Sequence, residues 1–426
     1  MTFTVTRSSG AIIQPFESTP SGTLTLSVID RLPMVQMMDM HTLHVFKHGQ
    51  EAAKVISEAL SKALVPYYPL AGRFKESSEG ELQVACTGEG VWFVEASANC
   101  SLESFRYFDN ILSVPHNELV PTPPPETYGI DPIVKIQLTH FTCEGFVLAY
   151  NTCHSISDGL GTAQFLNAVG EFARGFLHPT IAPVWNREAI PTSARLARAL
   201  GKPAGQLQHT LPPMPNFELE HATIDISQNR IVKLKKEFQE SVGDHCSTFD
   251  IAIANLWQYR TRALDLENNI DVKLIFSANT RKFMDPPLPD GFYGNCFYPV
   301  IVTISSGWLV EASVTEVVKL IKDAKARVPT EFRMWLNCDE SDDIEDPFAV
   351  PLAYTTLAVT QWCGLGFHEV DYGWGRPVQV LPIEGFHVIP TGIVGLPPTS
   401  KKGIRLMTWC VNSTHLPALI DQTMNL

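Results

Sequence analysis

Midway along the chain the material for a core runs out. Residues 178–217, from HPTIAPVWNREAIP to KPAGQLQHTLPPMPNF, are rich in Pro and hold few apolar pairs that could pack together. On both sides of this stretch the sequence returns to strand-like and helix-like patterns. A chain of 426 residues also exceeds one ordinary core, since domains usually run to about 100–200 residues. The expected organisation is an N-terminal domain at 1–189, a crossover linker at 190–217 and a C-terminal domain at 218–426.

Both halves mix strands with helices, which gives an α/β fold class. EAAKVISEALSKAL (51–64) places Val55, Ile56, Leu60, Ala63 and Leu64 on one helical face. PYYPLAGR (66–73) has turn chemistry, and ELQVACTGEGVWFVEA (81–96) alternates like paired strands. GFVLAYN (145–151) is a nearly continuous apolar run, the pattern of a strand buried on both faces. CHSISDG follows at once, and then a helix over 159–175. In the second half Ser247 or Thr248 can cap the helix TFDIAIANLWQYRTRAL, with Asp250 in its first turn. Strands are expected at 272–278, 298–304, 355–361, 387–395 and 404–411, and a helix at 311–327.

Composition narrows the function. Net charge is −13 and the cations are scattered, which disfavours nucleic acid or an anionic membrane as partner. The nine Cys form no CxxC pair, so free thiols in a reducing compartment are expected. The N-terminal segment lacks the apolar run of a signal peptide, and no stretch approaches the roughly 18 apolar residues of a membrane span. A cytoplasmic monomer is the expectation. No G-x-S-x-G elbow and no Gly-rich phosphate loop occurs, which removes support for serine hydrolysis, nucleotide hydrolysis and dinucleotide redox chemistry. His41, His44 and His48 invite a metal, but TLHVFK reads as a strand that sends His41 and His44 to opposite faces; no metal is expected.

His154 stands out by position. It lies just past a buried strand, in a loop of small residues, where an imidazole can point into a cleft and take a proton from a nucleophile. The H-x-x-x-D spacing by itself is weak, because it recurs at His221–Asp225, at the start of an apparent strand. A hydrogen-bonded loop histidine is the plain alternative for His154.

HSISDG (154–159) and DYGWG (371–375) together, in this order and separated by half the chain, are far more specific. LSVIDRLP, YYPLAGR, CTGEG, STFDIAIANLWQYRTRAL, FSANTRK and FYGNCFYPV extend the likeness over essentially the whole sequence. The chain resembles the BAHD family of plant acyl-CoA-dependent acyltransferases. Within it, the likeness is to the branch with banana alcohol acyltransferase, grass p-coumaroyl-CoA monolignol transferases and taxane O-acetyltransferases. The resemblance implies two chloramphenicol acetyltransferase-like domains with mixed sheets. It also implies acyl-CoA as co-substrate rather than cofactor, and a small alcohol or amine as acceptor. His154 becomes the general base. TQW (360–362) matches the family's T-x-W segment, giving Trp362 the oxyanion and Thr360 the acceptor. Asn295, Ser247 and Thr248 become contacts for the CoA arm. Asp158 is expected to pair with Arg281 and fix the loop, and Asp371 and Trp374 to shape the fold. Relatives that use acidic acceptors carry an Arg where this chain has Pro347, and many have Arg where it has Gly364. A neutral acceptor is therefore expected, since a buried carboxylate without a cation is costly. MVQMMDM (34–40) offers an adaptable apolar wall.

Overall fold

The computed structural model describes residues 3–110, 116–125, 131–192, 215–337, 346–349, 351–383, 389–399 and 401–423. It divides into two compact units. The first takes the described residues of Met1–His209, Met284–Cys296 and Leu365–Gly385; the second takes those of Thr210–Phe283, Phe297–Gly364 and Phe386–Leu426. The expected single cut near residue 190–217 is therefore incomplete. Two later segments return to the first unit, one of them because the strand Gln379–Pro382 pairs antiparallel with Asp39–Phe46. Residues 193–214 of the expected linker, and 338–345 of the acidic stretch, lie outside the described residues.

The first unit holds a seven-stranded mixed sheet. Its central strands are Val134–His140, Phe146–Cys153 and Asp39–Phe46, paired antiparallel in that order. Phe146–Tyr150 are all buried, as the unbroken apolar run requires. Ala52–Ala63 and Gly159–Ala173, the two long helices among the unit's described residues, pack against each other. The paired strands expected over 81–96 take another course. Leu82–Cys86 joins a separate three-stranded sheet, whereas Val91–Ala98 enters the large one. Gly88 and Gly90 turn the chain between them at φ +68° and +103°. A Cβ on Gly90 would lie 2.3 Å from the carbonyl oxygen of Ile13, so only Gly fits.

The second unit is built on a six-stranded sheet. Asp271–Asn279, Thr356–Gln361 and Thr391–Gly395 run parallel, flanked by antiparallel Phe297–Ser305 and Gly403–Asn412. The helix Thr248–Leu264 is buried along nearly its whole length, so its polar residues need internal partners. Most have them: Gln258 donates to the carbonyls of Leu309 and Ala312, and Arg260 Nε to that of Cys410 at 2.7 Å, while Gln258 Oε1 and Arg260 Nη1 have no partner among the described residues. Ser247 and Asp250 form a reciprocal capping box at its start, worth about 1 kcal/mol. The helix expected at 311–327 begins at Val314 and continues through Pro329 to Asn337. Its apolar side, with Val328, Phe332 and Trp335 buried, outweighs the break that Pro makes in the backbone ladder. No helix among the described residues is long and apolar enough to cross a membrane.

Candidate active site

His154 opens a single 3-10 turn, His154–Ile156, that joins the central strand Phe146–Cys153 to the helix Gly159–Ala173. Such a turn has no ladder of its own, so its backbone groups must find partners elsewhere. The amide of His154 donates to the carbonyl of Met38 at 2.8 Å. Its carbonyl accepts from Asn295 Nδ2 at 2.8 Å, and the carbonyl of Ile156 accepts from Arg187 Nη2 at 2.7 Å. Ser155, Ile156, Ser157 and Asp158 are buried, while His154 keeps partial access to solvent. Burial lowers the imidazole pKa below 6.5, the ordinary value for histidine. Four influences oppose it: the Asp158 carboxylate, the residue's own backbone, a hydrogen bond with the Asn295 side chain, and the Asp30 carboxylate. The group is therefore neutral at pH 7, as a general base must be.

Asp158 is engaged in local structure. Its Oδ1 accepts from Gly161 N at 3.1 Å, capping the helix, and its Oδ2 accepts from Cys296 N at 3.4 Å. Asp371 likewise accepts from Gly373 N and Gly375 N at 2.8 and 3.0 Å, closing the turn of DYGWG. Trp374 packs edge-on to Phe146 with ring centroids 6.1 Å apart, and Tyr372 lies 5.3 Å from Phe46.

Asn295, expected at the CoA arm, has its side chain turned inward. It is 0 % exposed, and its amide hydrogens serve Asp30 Oδ1 and the carbonyl of His154. Asn295 Oδ1 has no hydrogen-bond partner among the described residues. The sequence reading missed Asp30 and Arg187 as partners of this loop. Asp30 ends the apolar run LSVID, and a carboxylate there signals a buried group that needs donors.

The second unit carries the other expected residues. Thr360 sits in the strand Thr356–Gln361, in parallel register with Ile393, and Trp362 N donates to the carbonyl of Val394 at 2.8 Å. Both side chains are partly exposed. Ser247 and Thr248 line a cavity of about 560 Å³ with Lys325, Gln361 and Cys363, among others. Ser247 also spends its hydroxyl on the helix cap, accepting from Asp250 N at 3.1 Å. Lys325, which the sequence reading did not single out, donates to Asp250 Oδ1 at 2.8 Å on the cavity wall. Arg281 N and Nη1 donate to Asn279 Oδ1 at 3.1 and 3.4 Å. The rival histidine, His221, lies in the strand Leu219–Ser227 with its ring tilted against Trp409, while Asp225 pairs with Arg405 and Lys401.

Comparison with known proteins adds three findings. A family model described as "Transferase family" matches residues 3–411. A myricetin 3-O-glucosyl 1,2-rhamnoside 6'-O-caffeoyltransferase from Crocosmia x crocosmiiflora is 39% identical over 99% of this chain and 99% of its own. A 3'-N-debenzoyl-2'-deoxytaxol N-benzoyltransferase from Taxus canadensis is 34% identical, covering 97% of this chain and 94% of its own. Among solved structures, vinorine synthase superposes with a TM-score of 0.73 at 18% identity, over 99% of this chain and 98% of that one.

Proposed function

Since this chain belongs to the BAHD family of plant acyl-CoA-dependent acyltransferases, we propose that it moves an aromatic, hydroxycinnamoyl or short acyl group from acyl-CoA to the hydroxyl of a neutral alcohol. His154 acts as general base. The observation that carries this reading is the His154 turn: its backbone is pinned by three long-range hydrogen bonds, and its imidazole is kept neutral by burial. The neutral ring takes the acceptor proton as the oxygen attacks the thioester carbonyl. The resulting tetrahedral oxyanion is stabilised by the Trp362 indole N–H, and Thr360 orients the acceptor. Collapse expels the CoA thiolate, which the imidazolium reprotonates. No acyl-enzyme forms, and no resident cofactor or metal is needed.

The cavity beside Ser247 and Thr248 suits the anionic part of CoA. It holds the Lys325 ammonium, whose charge is shared with the Asp250 carboxylate, beside the first turn of a long helix whose remaining amides favour phosphate. Asp158 and Arg281 are assigned to each other as a structural pair. Pro347 and Gly364 replace the cations that an acidic acceptor would use, which favours a neutral one. The likeness to an N-benzoyltransferase supports a second reading, amide formation from an amine by the same histidine.

The test is a crossed panel of acyl-CoAs with alcohols and amines, read as free CoA and by mass spectrometry of products, for the parent and for His154→Ala. Acceptor-dependent ester formation, lost in the folded variant, is expected. A His154→Ala protein that folds and keeps full turnover would end the assignment. Amides in place of esters would select the second reading.

A further inference from the structure

We propose that Asp30 and Arg187 are positioning residues for the reaction: a buried anchor from which the backbone of the His154 turn is hung at two points. This rests on the reading of His154 as general base. The two carbonyls of the turn, His154 and Ile156, are each held by a side chain, Asn295 Nδ2 at 2.8 Å and Arg187 Nη2 at 2.7 Å. Both side chains then converge on one carboxylate. Asp30 Oδ1 accepts from Asn295 N and Nδ2 at 3.0 and 2.8 Å; Oδ2 accepts from Arg187 Nη1 and from Ser27 N and Oγ at 2.8 and 2.7 Å. Asp30 is 0 % exposed and Arg187 2 %, so neither charge is screened by water.

An ordinary buried ion pair is a poor stability device, since well-packed apolar side chains often serve as well. This one is wired to the turn. Arg187 Nη2 donates to the Ile156 carbonyl, and Asn295, held by Asp30, donates to the His154 carbonyl. The segment that supplies Asn295 is shaped to admit it: a Cβ on Gly294 would lie 2.8 Å from the Arg187 guanidinium carbon, so the guanidinium lies flat against a glycine. Four stretches distant in sequence (27–30, 154–158, 187 and 294–296) thus meet at one carboxylate. A misplacement of about 1 Å in a reacting group can cost roughly 100-fold in rate, so a turn held this firmly controls turnover more than binding.

The charges facing His154 within its unit are Asp158 on its own turn and Asp30 from the N-terminal segment, with Arg187 beyond Asp30. Both carboxylates favour the protonated ring. Removing the Asp30 charge therefore makes the base easier to deprotonate, and activity should persist to lower pH.

The experiment measures kcat, KM for both substrates and the pH profile in Asp30→Asn and in the apolar double variant Asp30→Leu/Arg187→Met. Either protein, if folded, is expected to lose about 100-fold in kcat while both KM values stay within about 3-fold. In Asp30→Asn the acid limb of kcat/KM should also move to lower pH. Should Asp30→Asn not fold, the double variant decides, because it leaves no unpaired buried charge. Should that fail too, Arg187→Lys decides: it keeps the charge but cannot reach both Asp30 and the Ile156 carbonyl, and about 10-fold in kcat is expected to go. Parent-like kcat in a folded variant, or a loss carried by KM alone, overturns the anchor. His154→Ala is run alongside. If it stays active, the general-base reading fails; if it is dead and the Asp30 variants are fully active, only the anchor fails.

Discussion

Asp158 stands four residues after the proposed base, where a catalytic triad would tempt one to put its orienting carboxylate. The geometry gives it another task, and two substitutions separate the two. Asp158→Ala removes the helix cap to Gly161 N, worth about 1 kcal/mol. It also removes the bond from Cys296 N; bonds to an ionised group are worth roughly 1.5–3 kcal/mol, and at 3.4 Å this one belongs at the low end. Together these two bonds come to about 2–3 kcal/mol, before any contribution from the proposed pairing with Arg281. For a domain of about 200 residues each kcal/mol moves the melting point by roughly 2–4 °C, so a fall of about 5–10 °C is expected. Asp158→Asn is a different change. Asn caps as well as Asp, so the helix cap stays while the charge is lost.

Turnover tells the two tasks apart. Where a carboxylate orients a triad histidine, exchanging it for the amide costs about 10⁴-fold. If Asp158 only holds the loop, Asp158→Asn should stay within about tenfold of the parent at pH 8, where His154 is neutral either way. The sign of the pH effect is fixed. Asp158 raises the His154 pKa against the lowering by burial. Without its charge the pKa falls further, the base stays unprotonated to lower pH, and the acid limb of kcat/KM moves down. Steady-state kinetics from pH 5 to 9 on protein checked by near-UV circular dichroism provide the assay. A folded Asp158→Asn enzyme slowed by 10³ or more, melting with the parent, would refute the structural assignment.

Three further outcomes follow from single side chains. Tyr372→Phe should leave activity intact and raise stability by about 1 kcal/mol, because the Tyr372 hydroxyl is buried without a hydrogen-bond partner among the described residues; a drop in melting temperature would contradict this. Trp362→Phe should lower kcat by about 10²–10³ with acyl-CoA KM unchanged, as loss of one oxyanion donor does; parent-like kcat would remove Trp362 from the mechanism. Lys325→Met should raise KM for acyl-CoA several-fold, leave KM for the acceptor alone and weaken the salt dependence of acyl-CoA binding; an unchanged KM would show that CoA phosphates do not use that cavity.

Local pattern carried much of this molecule. The apolar run at 146–150, the loop after it and the helix from Gly159 are all continuous in sequence, and so is the Ser247–Asp250 capping box. What local pattern could not convey is which elements become neighbours. The stretches Leu82–Cys86 and Val91–Ala98 each look like half of a hairpin, yet two glycines send them to different sheets. The helix expected to stop at 327 runs on past Pro329, because burial of Phe332 and Trp335 carries it to Asn337. Arg187 sat in the Pro-rich stretch where no core was expected, and it is 2 % exposed.

The support of His154 belongs to the same class for a physical reason. A three-residue turn between a strand and a helix has committed neighbours on both sides. The amides of the strand serve its sheet, and those of the helix start serve the cap and the helix. The carbonyls of His154 and Ile156 therefore cannot be satisfied from nearby sequence, and in a buried turn they cannot be left unpaired. Donors must arrive from remote segments, and long side chains with several N–H groups (an Asn and an Arg) are the economical choice. The buried Arg187 is in turn paired with a buried carboxylate, Asp30, whereas the equally buried Arg260 is hydrogen-bonded to backbone carbonyls alone among the described residues. The turn's unsatisfied carbonyls thus call for remote donors, even though no spacing in the sequence links residues 30, 154, 187 and 295.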